Sequence, residues 1–195
     1  MKFKLRYKDI APKEWEILGN IPRTGWVRRG IENPETVQSH TIDCRKLVID
    51  FVEHLEYNMC EIFQILNMLE VHDYPEIITG DIVNLITDPH KKKMFLQNKF
   101  KLEHDAMIEI TKNLGPAGRE MLNLWLRFDK GEDKLAIFAR EIDKYQSIEK
   151  AWEYQQFTQK VKVKDFIDYL REDITHPLLK LNISIIEDFL KDTPS

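Results

Sequence analysis

Residues 59–81 read Met-Cys-Glu-Ile-Phe-Gln-Ile-Leu-Asn-Met-Leu-Glu-Val-His-Asp-Tyr-Pro-Glu-Ile-Ile-Thr-Gly-Asp. Ile62, Ile65, Leu66 and Leu69 recur at three- and four-residue spacing, which predicts a helix with one inward stripe from about Met59 to Leu69. That helix runs out of its apolar residues into an ionisable pair, His72-Asp73. A charged pair where a helix leaves the core is costly unless something neutralises it, and a cation does so. Glu76 follows His72 by four and Asp73 by three, so a continued helical turn puts it on the same side. Asp81 comes after Gly80, in a turn able to fold back toward the same place.

The same periodicity extends outward in both directions. Thr41 to Tyr57 carries a stripe of Cys44, Leu47, Val48, Phe51, Val52 and Leu55. Further helices are predicted over Lys93–Leu114, Gly118–Phe128, Asp133–Tyr154, Lys164–Arg171 and His176–Lys191. Gly80, Gly115-Pro116 and Gly131 are single turns, not domain boundaries. Only Met1 to Tyr7 alternates polar and apolar residues, and it has no obvious strand partner. The expectation is an all-α protein folded as a single domain over residues 1–195.

Composition narrows the function classes. A chain of 195 residues with 43% hydrophobic and 32% charged residues has the balance of a folded globular protein. Its net charge of -4 argues against a general binder of nucleic-acid polymers, since no overall positive field attracts phosphate backbones. Cys44 and Cys60 are too few for a disulfide framework and read as reduced core thiols. No apolar run approaches membrane-spanning length, and the basic start Met1-Lys2-Phe3-Lys4 lacks a following signal-peptide core. These features point to the cytosol and away from a membrane.

Metal-ligand residue types are scattered along this frame. His40, His72, Asp73 and Asp143 together offer two imidazoles and two carboxylates, a set suited to a catalytic divalent cation and unlike a cysteine-rich structural zinc site. Taken alone, the pattern around Asp143 slightly favours an exposed carboxylate paired with Lys144 or Arg140. His54, His90, His104 and His176 read as structural or solvent-facing. The pair His104-Asp105 repeats His72-Asp73, but its neighbours Lys101, Glu103 and Lys112 mark a solvated face. The run His90-Lys-Lys-Lys93 reads the same way, and Trp15, Trp125 and Trp152 read as packing residues.

The order His, His-Asp, Asp resembles that of the HD-domain phosphohydrolases. Ile21-Pro-Arg-Thr-Gly-Trp-Val-Arg-Arg-Gly30, Pro34-Glu-Thr-Val-Gln-Ser-His40 and His72 to Asp81 look like the branch containing the 5′-deoxynucleotidases. The resemblance covers roughly Leu18 to Tyr154, which makes this stretch the metal-site core and about 155–195 a C-terminal helical extension. It implies His40, His72, Asp73 and Asp143 as ligands of one divalent ion (Mn, Co, Ni, Fe, Mg or Zn). It also implies Glu76 and Asp81 as the acidic residues that position or activate the attacking water. Trp26 would shape the nucleotide pocket, with Arg23 and Arg29 as nearby cations for phosphate. Two positions depart from the pattern: Ser39 stands where many relatives carry an acidic residue, and Gly25 where bacterial members carry arginine.

The implied activity is dephosphorylation of (deoxy)nucleoside 5′-monophosphates. A phosphodiesterase, a nucleoside triphosphate hydrolase and a non-catalytic nucleotide-binding protein are the alternatives. The resemblance also implies a homodimer, and ten phenylalanines offer apolar surface for a two-fold interface.

Overall fold

In the computed structural model, which describes residues 6–84 and 86–192 of the chain, the architecture is all-helical. The helices are α1 (Pro12–Leu18), α2 (Thr24–Val27), α3 (Val37–Asp50), α4 (Met59–Val71), α5 (Glu76–Thr79), α6 (Pro89–Thr111), α7 (Gly115–Lys130), α8 (Lys134–Gln155), α9 (Val163–Leu170) and α10 (Pro177–Asp192). Among the described residues the nearest thing to a sheet is a single antiparallel bridge between Pro22 and Thr36. The alternating segment at the N-terminus lies largely outside the described residues. Its end, Tyr7–Asp9, is a 3₁₀ turn whose Tyr7 and Lys8 N–H groups, with that of Arg6, are collected by the buried carboxylate of Glu70.

Local chemistry explains where the helices begin. Thr36 and Ser39 form a reciprocal capping box, so α3 starts at Val37, four residues earlier than the apolar stripe suggests. Ser39, one of the two departures from the family pattern, is thus a capping residue. Asn58 and Glu61 make the same box for α4, which forces the preceding chain out of helix. As a result α3 ends at Asp50, and Val52–His54 form a separate 3₁₀ turn where the stripe predicted continuous helix to Tyr57. Asp88 caps α6 and Asp133 caps α8. Gly131 ends α7 in the left-handed region (φ 59°), and a Cβ on Gly118 would stand 2.2 Å from the Thr111 carbonyl, so α6 and α7 meet only because Gly118 has no side chain.

Two apolar clusters share α4. Cys44, Val48, Ile62, Leu66, Leu69, Phe138, Ile142 and Tyr145 join α3, α4 and α8, and Val163, Ile167, Leu179 and Ile183 bring α9 and α10 onto the same core. On the other side Tyr7, Trp15, Val37, Val71, Tyr74, Met107, Met121 and Trp125 pack together. Truncating a fully buried residue such as Ile65 to alanine costs about 2–5 kcal/mol, so α4 is firmly held. Its C-terminal end emerges between the two clusters, facing α3 and α8. One thiol differs from expectation: Cys44 is buried, but Cys60 is exposed on the first turn of α4. No helix among the described residues is long and apolar enough to cross a membrane.

Candidate active site

Three helices bring the four candidate ligands together. His40 projects from the first turn of α3, His72-Asp73 follow the last turn of α4, and Asp143 lies midway along α8. His40 Nε2 is 2.9 Å from Asp143 Oδ1 and 3.7 Å from Asp73 Oδ2, while His72 Nε2 is 3.1 Å from Asp73 Oδ2 and 3.8 Å from Asp143 Oδ1. Both imidazoles are buried, at 0% and 5% exposure, and the two carboxylates are only partly so. The apolar flank of α8 thus turns Asp143 inward to the cluster, away from the alternative pairing: Lys144 binds Asp173 and Arg140 binds main-chain carbonyls.

Hydrogen bonding around the cluster decides which nitrogen of each ring is free. The Glu35 carboxylate can only accept, so the Gln146 amide must point its Nε2 at Glu35 Oε2 (2.9 Å). That leaves Gln146 Oε1 facing His40 Nδ1 at 2.7 Å, which assigns the proton to Nδ1 and a lone pair to Nε2. His72 Nδ1 likewise donates to the Leu69 carbonyl (2.7 Å), and its buried Nε2 has no hydrogen-bond partner. In their neutral forms the two imidazoles therefore aim lone pairs at two carboxylates. Electron-rich atoms this close require a positive charge between them, and a divalent cation fits that donor set.

Charge balance follows from the same geometry. Without a cation in the cluster a proton takes its place: burial opposes charge on His72, but Asp73 and Asp143 override it and push the imidazole pKa well up, and a bound metal would displace that proton from Nε2. Burial would raise Asp143, yet the His40 and His72 imidazoles beside it hold it well below the usual carboxylate range, and His72 and Arg23 hold Asp73 down in the same way. Arg23 Nη1 reaches Asp73 Oδ2 at 3.2 Å.

The chain beyond Asp73 stays coiled: Glu76 N donates to the Asp73 carbonyl (3.0 Å), so Glu76 returns to the same side. Its side chain is buried, and Oε2 has no hydrogen-bond partner. Burial and the nearby Asp73 and Asp81 carboxylates push its pKa well up. Asp81 accepts from Thr24 N at 2.5 Å through Oδ2, and its carbonyl accepts from Thr24 Oγ1 at 2.8 Å. This clamp fixes the turn that carries Arg23.

Trp26 is placed differently from the expected pocket wall. The indole is 3% exposed, its ring stacks on Phe166 (4.9 Å) and meets Tyr154 edge-on (5.0 Å), and Nε1 donates to Glu35 Oε1 at 2.6 Å. It supports Glu35 and, through Gln146, His40. Arg29 is exposed, with its guanidinium over Phe166 and Nη1 on the Gly25 carbonyl, so its partners are not site residues.

A cavity of about 340 Å³ opens onto His72, Asp73 and Asp143. Lys99, Arg140 and Lys144 supply cations along it, and Phe100, Trp125 and Phe128 supply aromatic faces. Sequence reading gave none of these residues a place in the site, nor Gln146, because each lies in an ordinary amphipathic helix without a motif, and it passed over Glu35 although the quoted Pro34–His40 motif contains it. Spacing on α8 held the one available signal: Arg140 and Lys144 lie three residues before and one after Asp143.

The HD domain family matches residues 15–180. The 5′-deoxynucleotidase HDDC2 of Dictyostelium discoideum is 34% identical over 172 residues, covering 84% of this chain and 87% of that protein. The 5′-deoxynucleotidase hdd1 of Schizosaccharomyces pombe is 30% identical, covering 84% of this chain and 80% of its own length. Among solved structures, a conserved hypothetical protein from Pyrococcus furiosus superposes with a TM-score of 0.69 at 22% identity, covering 94% of this chain and 98% of its own. A predicted metal-dependent phosphohydrolase from Magnetospirillum magnetotacticum gives 0.66 at 18% identity, covering 94% of both. At these identities the two structures speak for the fold alone.

Proposed function

This chain belongs to the HD domain family, and we propose that it is a 5′-deoxynucleotidase-like hydrolase releasing phosphate from deoxynucleoside 5′-monophosphates. The observation that supports this most is the pair of buried Nε2 atoms of His40 and His72 aimed at Asp73 and Asp143, each ring anchored through its Nδ1. These four residues would hold one divalent ion, with Mn, Co, Ni, Fe, Mg and Zn as the candidates. When bound, such an ion supplies positive charge that polarises the phosphoryl group and acidifies the attacking water.

The remaining chemistry belongs to the protein's own side chains. Glu76, with an uncommitted buried oxygen next to the cluster, accepts the proton of the attacking water as the water oxygen bonds to phosphorus and the P–O5′ bond breaks, and the departing O5′ takes up a proton from solvent to leave as the nucleoside hydroxyl. Arg23 leans on Asp73 and offers its remaining N–H groups to non-bridging phosphate oxygens. Asp81 keeps that arginine in place through Thr24. Burial of His40 and His72 excludes water from one side of the cluster, which strengthens every charge interaction there.

Phosphate release from a panel of nucleoside monophosphates, diphosphates and cyclic nucleotides, each with each metal, tests this reading. Activity on the deoxynucleoside monophosphates is expected; activity confined to diphosphates, triphosphates or cyclic nucleotides would replace it with another hydrolase. We further place the protein in the cytosol as a homodimer. Light scattering at several concentrations checks the second point, since a mass near 23 kDa throughout excludes a stable dimer.

A further inference from the structure

The cavity beside the ligand cluster is lined by two chemically different groups of side chains. His72, Asp73 and Asp143 line it together with Lys99 of α6. The second group is aromatic. Phe100 lies nearly parallel to Trp125, with ring centroids 5.7 Å apart and 19° between planes, and His104 stacks on Phe100 from the same helix at 5.8 Å and 22°. Trp125 is buried, so the stack is braced from behind, while Phe100 remains 37% exposed and lines the cavity. Phe128 forms part of the wall nearer the cluster, its ring 5.0 Å from that of His72.

A rigid aromatic ring presented to a cavity that a lysine also lines suits a ligand with a flat π-system joined to an anionic group. The volume of about 340 Å³ lies in the range of small-ligand pockets. Lys99 precedes Phe100 directly and is held by Glu103 at 3.0 Å, which keeps an ammonium along the same cavity. We propose that Phe100 is the shelf on which the substrate's nucleobase stacks, with Trp125 and His104 as its backing. This inference rests on the nucleotide reading above and goes beyond it by assigning base recognition to α6. Stacking accepts any base, since each has a π-face, so the shelf favours purines by contact area and discriminates little by hydrogen bonding. His104, whose dipeptide mimics the ligand pair, serves here as a packing partner of the shelf.

The test is equilibrium binding to the full-length protein in Mn²⁺ buffer. Two probes are compared: a non-hydrolysable methylenephosphonate analogue of dAMP, and the same deoxyribose phosphonate without its base. The wild type should prefer the base-bearing ligand. Phe100→Ala should lower that preference by about 5- to 100-fold, the range of a lost base–aromatic stack, and Phe100→Trp should keep it. If Phe100→Ala leaves the ratio unchanged, or weakens both ligands in step with helical circular dichroism intact, Phe100 only supports α6 and the assignment is wrong. Absence of any base preference in the wild type overturns it equally. Phosphate release from dAMP is scored separately: base-dependent binding without turnover would refute the hydrolase reading and leave the shelf standing.

Discussion

Gln146 donates its amide to Glu35 across 2.9 Å and, because Glu35 can only accept, presents its oxygen to His40. One hydrogen bond thus sets the orientation of a neutral amide, and that amide sets the tautomer of an imidazole in the cluster. Trp26 completes the relay by holding the other Glu35 oxygen. Replacing Glu35 by glutamine inverts the relay: Trp26 Nε1 keeps the new amide's oxygen, its NH₂ then faces Gln146, and Gln146 must turn its own NH₂ toward His40 Nδ1. Glu35→Gln should weaken divalent-metal binding by about 10- to 100-fold while the fold persists, as measured by metal titration of chelator-treated protein. Unchanged affinity would show that His40 is oriented by packing alone.

Glu76→Gln preserves shape and burial but cannot take a proton from water. Metal content should stay at the wild-type level while kcat falls by about 10²- to 10⁴-fold. Joint loss of metal and turnover would make Glu76 a ligand and move the base to another residue.

Asp133 joins two elements by capping α8 while its carboxylate grips Arg127 of α7 at 2.7 and 2.9 Å. The Arg127 hydrogen bonds, helped by the cap, bring its pKa down to about 2 from an ordinary value of 3.8. A depressed carboxylate stabilises the fold above its unfolded pKa, and that contribution is lost as pH falls from about 4 through 2. Loss of the helix cap and of the solvent-screened ion pair in Asp133→Ala should cost about 1–2 kcal/mol in urea unfolding at pH 7, most of it from the cap, with the gap from wild type closing near pH 2. A gap independent of pH would assign the effect to packing.

Cys44 and Cys60 should differ sharply toward a thiol reagent. Burial pushes the Cys44 thiol pKa well up, and its sulfur lies 3.6 Å from His40 Nε2 inside the core. Native protein should react at one thiol, and Cys60→Ser should abolish that reaction. Two rapid equivalents would mean that the core around the cluster opens readily.

The helices and the ligand cluster were legible for different reasons. Periodicity placed α4 and its emergence at His72 because Ile62, Ile65, Leu66 and Leu69 all face one core. It failed at α1 and α2, which are too short to show a period, and at Phe51, where the Asn58 capping box overrides an apolar stripe that continues unbroken. His40 and Asp143 lie 103 positions apart, and no local pattern links them; their pairing came from family order, and their geometry from the packing of α3 on α8. Trp26 misled because an indole between arginines looks like a pocket wall, whereas Phe166, far along the chain, covers it. Glu35, Gln146 and the Phe100 wall depend wholly on tertiary contacts, which a single sequence does not display.

The most direct measurement is phosphate release from dAMP by protein stripped with a chelator and then returned to each divalent metal, beside the Asp73→Ala variant. Stripped wild type should be inactive and at least one metal should restore turnover, whereas Asp73→Ala should remain inactive at the same metal concentration. Turnover that persists in chelator, or full recovery of Asp73→Ala, would contradict a phosphohydrolase site built from His40, His72, Asp73 and Asp143.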